Sequence, residues 1–178
     1  LNSPSEELLS RALAGDTAAF GALVRDRQRS VYSLALRMLS DRQKAEDLAQ
    51  EVFLRLYRNL SSVESAAHLA FWLRKVTLNG AIDRLRRDTH YETVPLEELD
   101  DVPDSDAPRP DPLLERRLRL LLQQLSPAAR AVILLRYQED LDPTEIARTL
   151  SMSANTVKSH LKRSLAMLRE RIGEQCYE

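Results

Sequence analysis

Apolar residues recur along this chain at helical spacings of three and four, not at the alternation of a half-buried strand. A short first helix is predicted from about Ser5, ending at Gly15. Asp16 is placed to cap a second, whose apolar face is Phe20, Leu23, Val24, Val31, Leu34, Ala35 and Met38. Asp41 caps a third, where Ala45, Leu48, Ala49, Val52, Phe53, Leu56, Tyr57 and Leu60 form an unbroken stripe. A polar loop over 61–67 follows. The fourth helix, about 68–87, is apolar on more than one side: Leu69, Trp72, Leu73 and Val76, then Leu78, Ile82 and Leu85. Such a helix belongs between other helices. It closes on Arg84, Arg86 and Arg87, where cations suit the helix dipole.

The pattern stops between residues 89 and 111. Pro95, Pro103, Pro108 and Pro110 stand there among acids. A structureless stretch of that length seldom lies inside a compact domain. It reads as an acidic flexible linker joining two small helical domains, 1–88 and 112–178. Beyond it a capping residue precedes a proline three times, at Asp111-Pro112, Ser126-Pro127 and Asp142-Pro143. Helices are expected over about 112–125, 127–138, 143–150 and 154–172. Glu145, three residues after Asp142, completes a capping box. The predicted fold class is all-α.

Residues 142–163 read as a helix-turn-helix. Ile146, Ala147 and Leu150 give the first helix its inner face, and the small Ala147 lets the pair cross closely. Ser153 caps the second helix, whose inner face is Val157, Leu161, Leu165 and Leu168. Its outer face offers Asn155, Thr156, Lys158, Ser159, Lys162 and Arg163. These are donors suited to base edges and phosphates in a major groove. A helix pair with an ordinary basic surface has the same periodicity. Ser151 departs from the glycine usual at such a turn, where the backbone tends to positive φ.

Charge sharpens this picture. The net charge of −1 over 178 residues looks wrong for a nucleic-acid binder until it is divided. Residues 1–90 carry 14 Lys/Arg against 11 Asp/Glu, and residues 114–178 carry 11 against 8. Residues 91–113 carry Arg109 against 8 acids, so two basic blocks flank an acidic spacer.

Other classes fall away. The longest apolar run, 131–135, is far short of the ~18 residues a membrane helix needs. Glu6, Glu7 and Arg11 near the start, with no apolar stretch, argue against a signal peptide. A single cysteine, Cys176, forms no disulfide within the chain and fits a reducing cytoplasm. His68, His90 and His160 are scattered, so neither a metal nor another cofactor is expected. There is no glycine-rich phosphate loop and no nucleophile–base arrangement, which argues against an enzyme. An ordinary helix-turn-helix regulator with a sensing or dimerising N-terminal half explains the C-terminal half equally well.

Two further segments separate these readings. On the third helix Glu46, Asp47, Gln50 and Glu51 make a polar face; periodicity alone makes it a solvated face with a Glu51–Arg55 pair. Yet the run Ala45-Glu46-Asp47-Leu48-Ala49-Gln50-Glu51-Val52-Phe53 resembles the polymerase-binding helix in the second region of extracytoplasmic-function (ECF) sigma factors of the sigma-70 family. Phe71-Trp72-Leu73, Asn79, Asp83 and Arg86-Arg87 resemble the promoter-melting helix that follows it. Glu145-Ile146-Ala147 with the run from Thr156 to Arg163 resembles the fourth region. The three occur in the family's order and span nearly the whole chain.

The resemblance implies a sigma factor, cytoplasmic and without membrane insertion of its own. Its partners would be core RNA polymerase (the β′ clamp helices and the β flap), promoter DNA, and an anti-sigma factor, commonly a membrane-anchored one. Glu46, Asp47, Gln50, Glu51 and Arg55 would contact the clamp helices. Trp72, Asn79, Asp83, Arg86 and Arg87 would serve the minus-ten element, with the segment 59–68 closing a pocket for an unstacked base. For Trp72, core packing is the competing assignment. Arg136, Asn155, Thr156, Lys158, Ser159, Lys162 and Arg163 would serve the minus-thirty-five element, Arg136 through a phosphate.

Overall fold

The computed structural model describes residues 4–88 and 112–174. The acidic segment 89–111, with His90 and the Asp111 cap, lies outside the described residues, as does Cys176. The described chain is α-helical, without a strand: α1 Pro4–Leu13, α2 Thr17–Leu39, α3 Arg42–Asn59, a 3-10 turn Leu60–Ser62, α4 Ala66–Asp88, α5 Pro112–Gln123, α6 Pro127–Tyr137, α7 Pro143–Leu150 and α8 Ala154–Glu174. Contacts divide it into two compact units, Leu1–Ala81 and Ile82–Glu178.

In the first unit the helix ends follow local chemistry. α1 stops at Leu13, before Gly15, because the chain turns back there. Gly15 sits at φ +92° and donates to the Ala12 carbonyl at 3.0 Å, while Asp16 donates to that of Arg11 at 3.1 Å. The Asp16 carboxylate then accepts the Ala19 N–H at 3.0 Å and is gripped by Arg11 at 2.7 and 3.0 Å. Asp41 caps α3 by accepting from Lys44 N–H at 3.0 Å. Leu9, Leu23, Met38, Leu48, Val52, Leu56, Leu69 and Leu78 are buried almost completely and form the core, with α2 packed against both α1 and α3.

Two expectations for this unit change. Tyr57 is 61% exposed and not part of the buried stripe. At 100° per residue it lies well over a quarter-turn from the line through Leu48, Val52 and Leu56, and its ring stands edge-on to Phe20 with centroids 5.2 Å apart. The loop over 61–67 is shorter than expected, because α4 begins at Ala66 and a 3-10 turn occupies Leu60–Ser62. Its one buried apolar side chain is Val63, 2% exposed. α4 does bury two sides, with Leu69, Leu73, Thr77, Leu78, Ala81 and Ile82 all enclosed. The Thr77 hydroxyl is satisfied within the helix, donating to the Leu73 carbonyl at 2.7 Å.

The second unit is built around α6, in which every residue from 129 to 135 is buried. One of them is Arg130, 5% exposed. Its guanidinium donates to the carbonyls of Leu122 and Gln123, each at 2.9 Å, at the end of α5, where Leu122 also accepts the Leu125 N–H. Desolvation pulls its pKa below the ordinary arginine value. α6 packs on α7 and α8, which pack on each other. The α7 capping box forms as expected: Asp142 accepts from Thr144 and Glu145 N–H at 2.6 and 2.9 Å, and Glu145 accepts from Asp142 N–H at 2.8 Å. Ser151 occupies the left-handed turn at φ 53°, ψ 45°. On α8 the buried line runs through Val157, Ser164 and Leu168, whereas Leu161 and Leu165, expected inside, flank it half-buried. Ser164 shares the angular position of Val157 more closely than either leucine does.

Candidate functional site

Three surfaces carry the candidate residues. The first is α3. Its buried side leaves Glu46, Asp47, Gln50 and Arg55 exposed and Glu51 half-buried. Gln43 donates to Asp47 at 3.1 Å, and Arg55 pairs with Glu51 one turn away, as the spacing predicts. These pairs order the face without removing it from water. Leu54, which the sequence reading did not single out, is 57% exposed. It follows Asp47, Gln50 and Glu51 at i+7, i+4 and i+3, so one large apolar side chain stands within an otherwise polar face. A residue of that size off the apolar stripe was the available signal.

The second surface is α4 with the preceding loop. Asn79, Asp83, Arg86 and Arg87 are exposed and Trp72 is half-buried, so part of the indole is enclosed and part is open. Their spacings of seven, four and three place all five on one side of the helix. Arg87 is partly committed, since its Nε donates to the Asp83 carbonyl at 3.2 Å. Lys75 lies over the Phe71 ring at 5.8 Å. The loop is braced at both ends. Ser62 donates to the Asn59 carbonyl at 2.7 Å, Ser65 accepts from His68 N–H at 3.0 Å, and His68 Nδ1 accepts from Glu64 N–H at 3.3 Å.

The third surface is α8. Asn155, Thr156, Lys158, Lys162 and Arg163 are exposed and Ser159 half-buried, on the side opposite Val157, Ser164 and Leu168. Thr156 is less available than expected. Its N–H donates to Ser153 Oγ at 3.0 Å and the two hydroxyls lie 2.8 Å apart, so it belongs to the helix cap. Arg136 lies off this helix, at the end of α6. Its guanidinium donates to the Leu141 carbonyl at 3.1 Å and approaches Asp140 at 3.9 Å, bracing the turn that leads into α7. The described residues contain no cluster of His, Cys, Asp or Glu suited to a metal, and no helix long and apolar enough to cross a membrane.

Comparison with known proteins decides the family. Residues 23–91 match the model for sigma-70 region 2, and residues 115–168 match that for sigma-70 region 4. The RNA polymerase sigma-E factor of Streptomyces coelicolor is 35% identical over 159 residues, which cover 89% of this chain and 88% of that one. The chain belongs to the ECF group of the sigma-70 family. The ECF RNA polymerase sigma factor SigM of Mycobacterium tuberculosis is 30% identical across 94% of this chain and 84% of its own. The fold agrees. CnrH, solved with the cytosolic domain of CnrY, superposes with a TM-score of 0.70 at 21% identity, over 97% of this chain and 99% of CnrH. The sigma factor RpoE of Bartonella quintana, solved with the anti-sigma factor NepR, gives 0.69 at 21% identity, over 86% and 96%.

Within this sigma-70 framework α3 and α4 fall in region 2 and α6 to α8 in region 4. The helix-turn-helix, the exposed α3 face and the α4 face lie inside the two matched segments, apart from the last six residues of α8.

Proposed function

We propose that this chain is an alternative sigma factor. It binds core RNA polymerase, brings it to promoters with minus-ten and minus-thirty-five elements, and acts as a binding subunit without catalysis of its own. The observation that carries the reading is the coexistence, in one ECF chain, of three outward-facing sets with complementary chemistry. α3 offers carboxylates and an amide around Leu54, suited to a basic protein partner. α4 offers the half-buried Trp72 and, two turns along the same face, the exposed Asn79, suited to an unstacked base. α8 offers Lys158, Lys162 and Arg163 on one side, suited to a major groove.

In this reading residues 1–88 bind core polymerase and the minus-ten element, and residues 112–178 bind the minus-thirty-five element and the β flap. The acidic segment 89–111, net −7 over 91–113, occupies a basic polymerase channel built for nucleic acid. Activity is restrained by an anti-sigma partner in the cytoplasm, its membrane anchor supplied by the partner. Two proteins of this fold were solved with partners, RpoE with the anti-sigma factor NepR and CnrH with the cytosolic domain of CnrY.

The deciding experiment is run-off transcription with purified core polymerase on a promoter library. The chain with core should produce specific transcripts and the chain alone should retain no promoter DNA. Tight, specific binding by the chain alone, with no transcript from the mixture, would return it to the class of ordinary helix-turn-helix regulators.

A further inference from the structure

The N-terminus of α4 is completed from the far end of the first unit. Glu6, in the first turn of α1, accepts the Ala66 N–H through Oε1 at 2.9 Å, a contact across 60 residues of sequence. Ala66 is the first residue of α4, so this amide is one of those a helix leaves unpaired. The side-chain cap at the same end, Ser65, already accepts from His68 N–H. Glu6 therefore supplies a second acceptor, negatively charged and half-buried, at the positive end of the helix dipole. α1 is held in place to deliver it. Leu9 and Ala12 are buried where α1 packs on α2, and Arg27 of α2 donates to Ser5 at 3.2 Å.

We infer that Glu6 is a positioning residue for the minus-ten surface, an assignment that rests on the function proposed above. Ala66 joins two parts of that surface. Before it lies the loop with Val63 and Glu64; after it, on the same rigid helix, come Trp72 and Asn79. Pinning the Ala66 amide to α1 fixes where the loop leaves the helix and so fixes the mouth of the base pocket. Without Glu6 the loop keeps its Val63 anchor and its bonds to Asn59 and His68, but its junction with α4 frays. Glu6 touches no DNA in this account. It acts through the loop.

Two measurements test this. Hydrogen exchange on the free chain should show faster exchange at Ala66 and its neighbours in Glu6→Ala, with α3 unchanged. The second measurement uses holoenzyme and a fork-junction DNA selected by the wild type from a pool with a randomised single-stranded stretch. Glu6→Ala should bind it about tenfold more weakly, the scale of one charge-assisted hydrogen bond, with unchanged affinity for core polymerase. Glu6→Gln keeps an acceptor and should restore most of the loss. Unchanged exchange at Ala66, unchanged DNA affinity, a parallel loss of core binding, or failure of Gln to rescue would each overturn the assignment. If wild-type holoenzyme selects no DNA, the sigma-factor reading itself fails, and the exchange result still decides whether Glu6 holds α4.

Discussion

Arg130 Nε and the Leu122 carbonyl meet at 2.9 Å across the corner between α5 and α6, joining a buried cation to the end of the preceding helix. A charge in that position is tolerated because its donors meet two carbonyls at the end of α5, that of Gln123 and that of Leu122, which also accepts the Leu125 N–H at 3.1 Å. Arg130→Met keeps the apolar stem and removes the donors. It should destabilise the second unit by about 1–3 kcal/mol, the cost of losing a charged group's hydrogen bonds to two carbonyls, of which that of Leu122 keeps the Leu125 N–H. Urea unfolding followed by circular dichroism measures this; a loss under half a kcal/mol would mean that water replaces the guanidinium.

The α3 face yields a prediction about partner binding. Asp47→Ala with Gln50→Ala should weaken core polymerase binding and leave the melting temperature unchanged, because both side chains are exposed and truncation opens no cavity. Leu54→Asp should do the same more strongly, by roughly 1–3 kcal/mol, if the leucine enters an apolar pocket of the partner. Pull-down with core polymerase reads all three changes. Full affinity in every variant would make α3 a solvated surface.

Ser151 tests backbone strain separately from chemistry. Its φ of 53° puts a side chain in the left-handed region, at a cost of about 1–2 kcal/mol relative to glycine. Ser151→Gly should recover part of that and raise the melting temperature of the second unit. Ser151→Val should lower it, since a β-branched residue fits that region poorly. A Gly variant less stable than wild type would show that the Ser151 side chain contributes more than its backbone costs.

Base and phosphate contacts leave different signatures. Lys158→Ala and Arg163→Ala should each cost ~1–3 kcal/mol and relax preference at one position of the minus-thirty-five element. Arg136→Ala should weaken holoenzyme binding about equally on all sequences and lower the salt slope by about one unit. Because Arg136 also braces the Leu141 carbonyl, a fall in stability is expected beside that change. Binding across salt and across single-base promoter variants separates these outcomes.

The caps predict an acid dependence. Hydrogen bonds from the N–H of Glu145 and of Thr144 hold the Asp142 carboxyl below its ordinary pKa, and those from the Ala19 N–H and Arg11 do the same for Asp16. A depressed carboxylate pKa contributes stability that is complete above the unfolded value near 3.8 and is lost as pH falls through the folded value. Wild-type helicity should therefore fall more steeply below pH 4 than that of Asp142→Asn, whose acceptor does not titrate. Identical acid profiles would remove Asp142 as a contributor.

Helix identities were legible in the sequence because capping residues and a helical apolar period agree at α2, α3, α6 and α7. What periodicity misjudged lies at the margins of stripes. Leu161 and Leu165 are apolar and nearly in register, but burial falls off with angle and a leucine keeps part of its surface in water there, whereas Tyr57 stands well off the line of Leu48, Val52 and Leu56. The α3 and α8 surfaces could be read because exposed polar residues at fixed spacing have few alternatives. Leu54 stood out in the pattern as an apolar residue off the stripe, but Glu6 and Arg130 did not. Both matter through something local pattern does not encode: a bond across 60 residues, and a cation that reaches the carbonyls of the preceding helix.

Val63 gives the loop before α4 an unequal tolerance of change. It is the point where that segment enters the core, while Ser61, Ser62 and Glu64 on either side face water. Mutations at Ser61 and Glu64 alter the chemistry the loop presents without reopening the packing beneath it, whereas Ser62 also braces the Asn59 carbonyl. A lineage can thus explore new recognition surfaces at this spot one substitution at a time, each intermediate still folded, for as long as the single valine is kept.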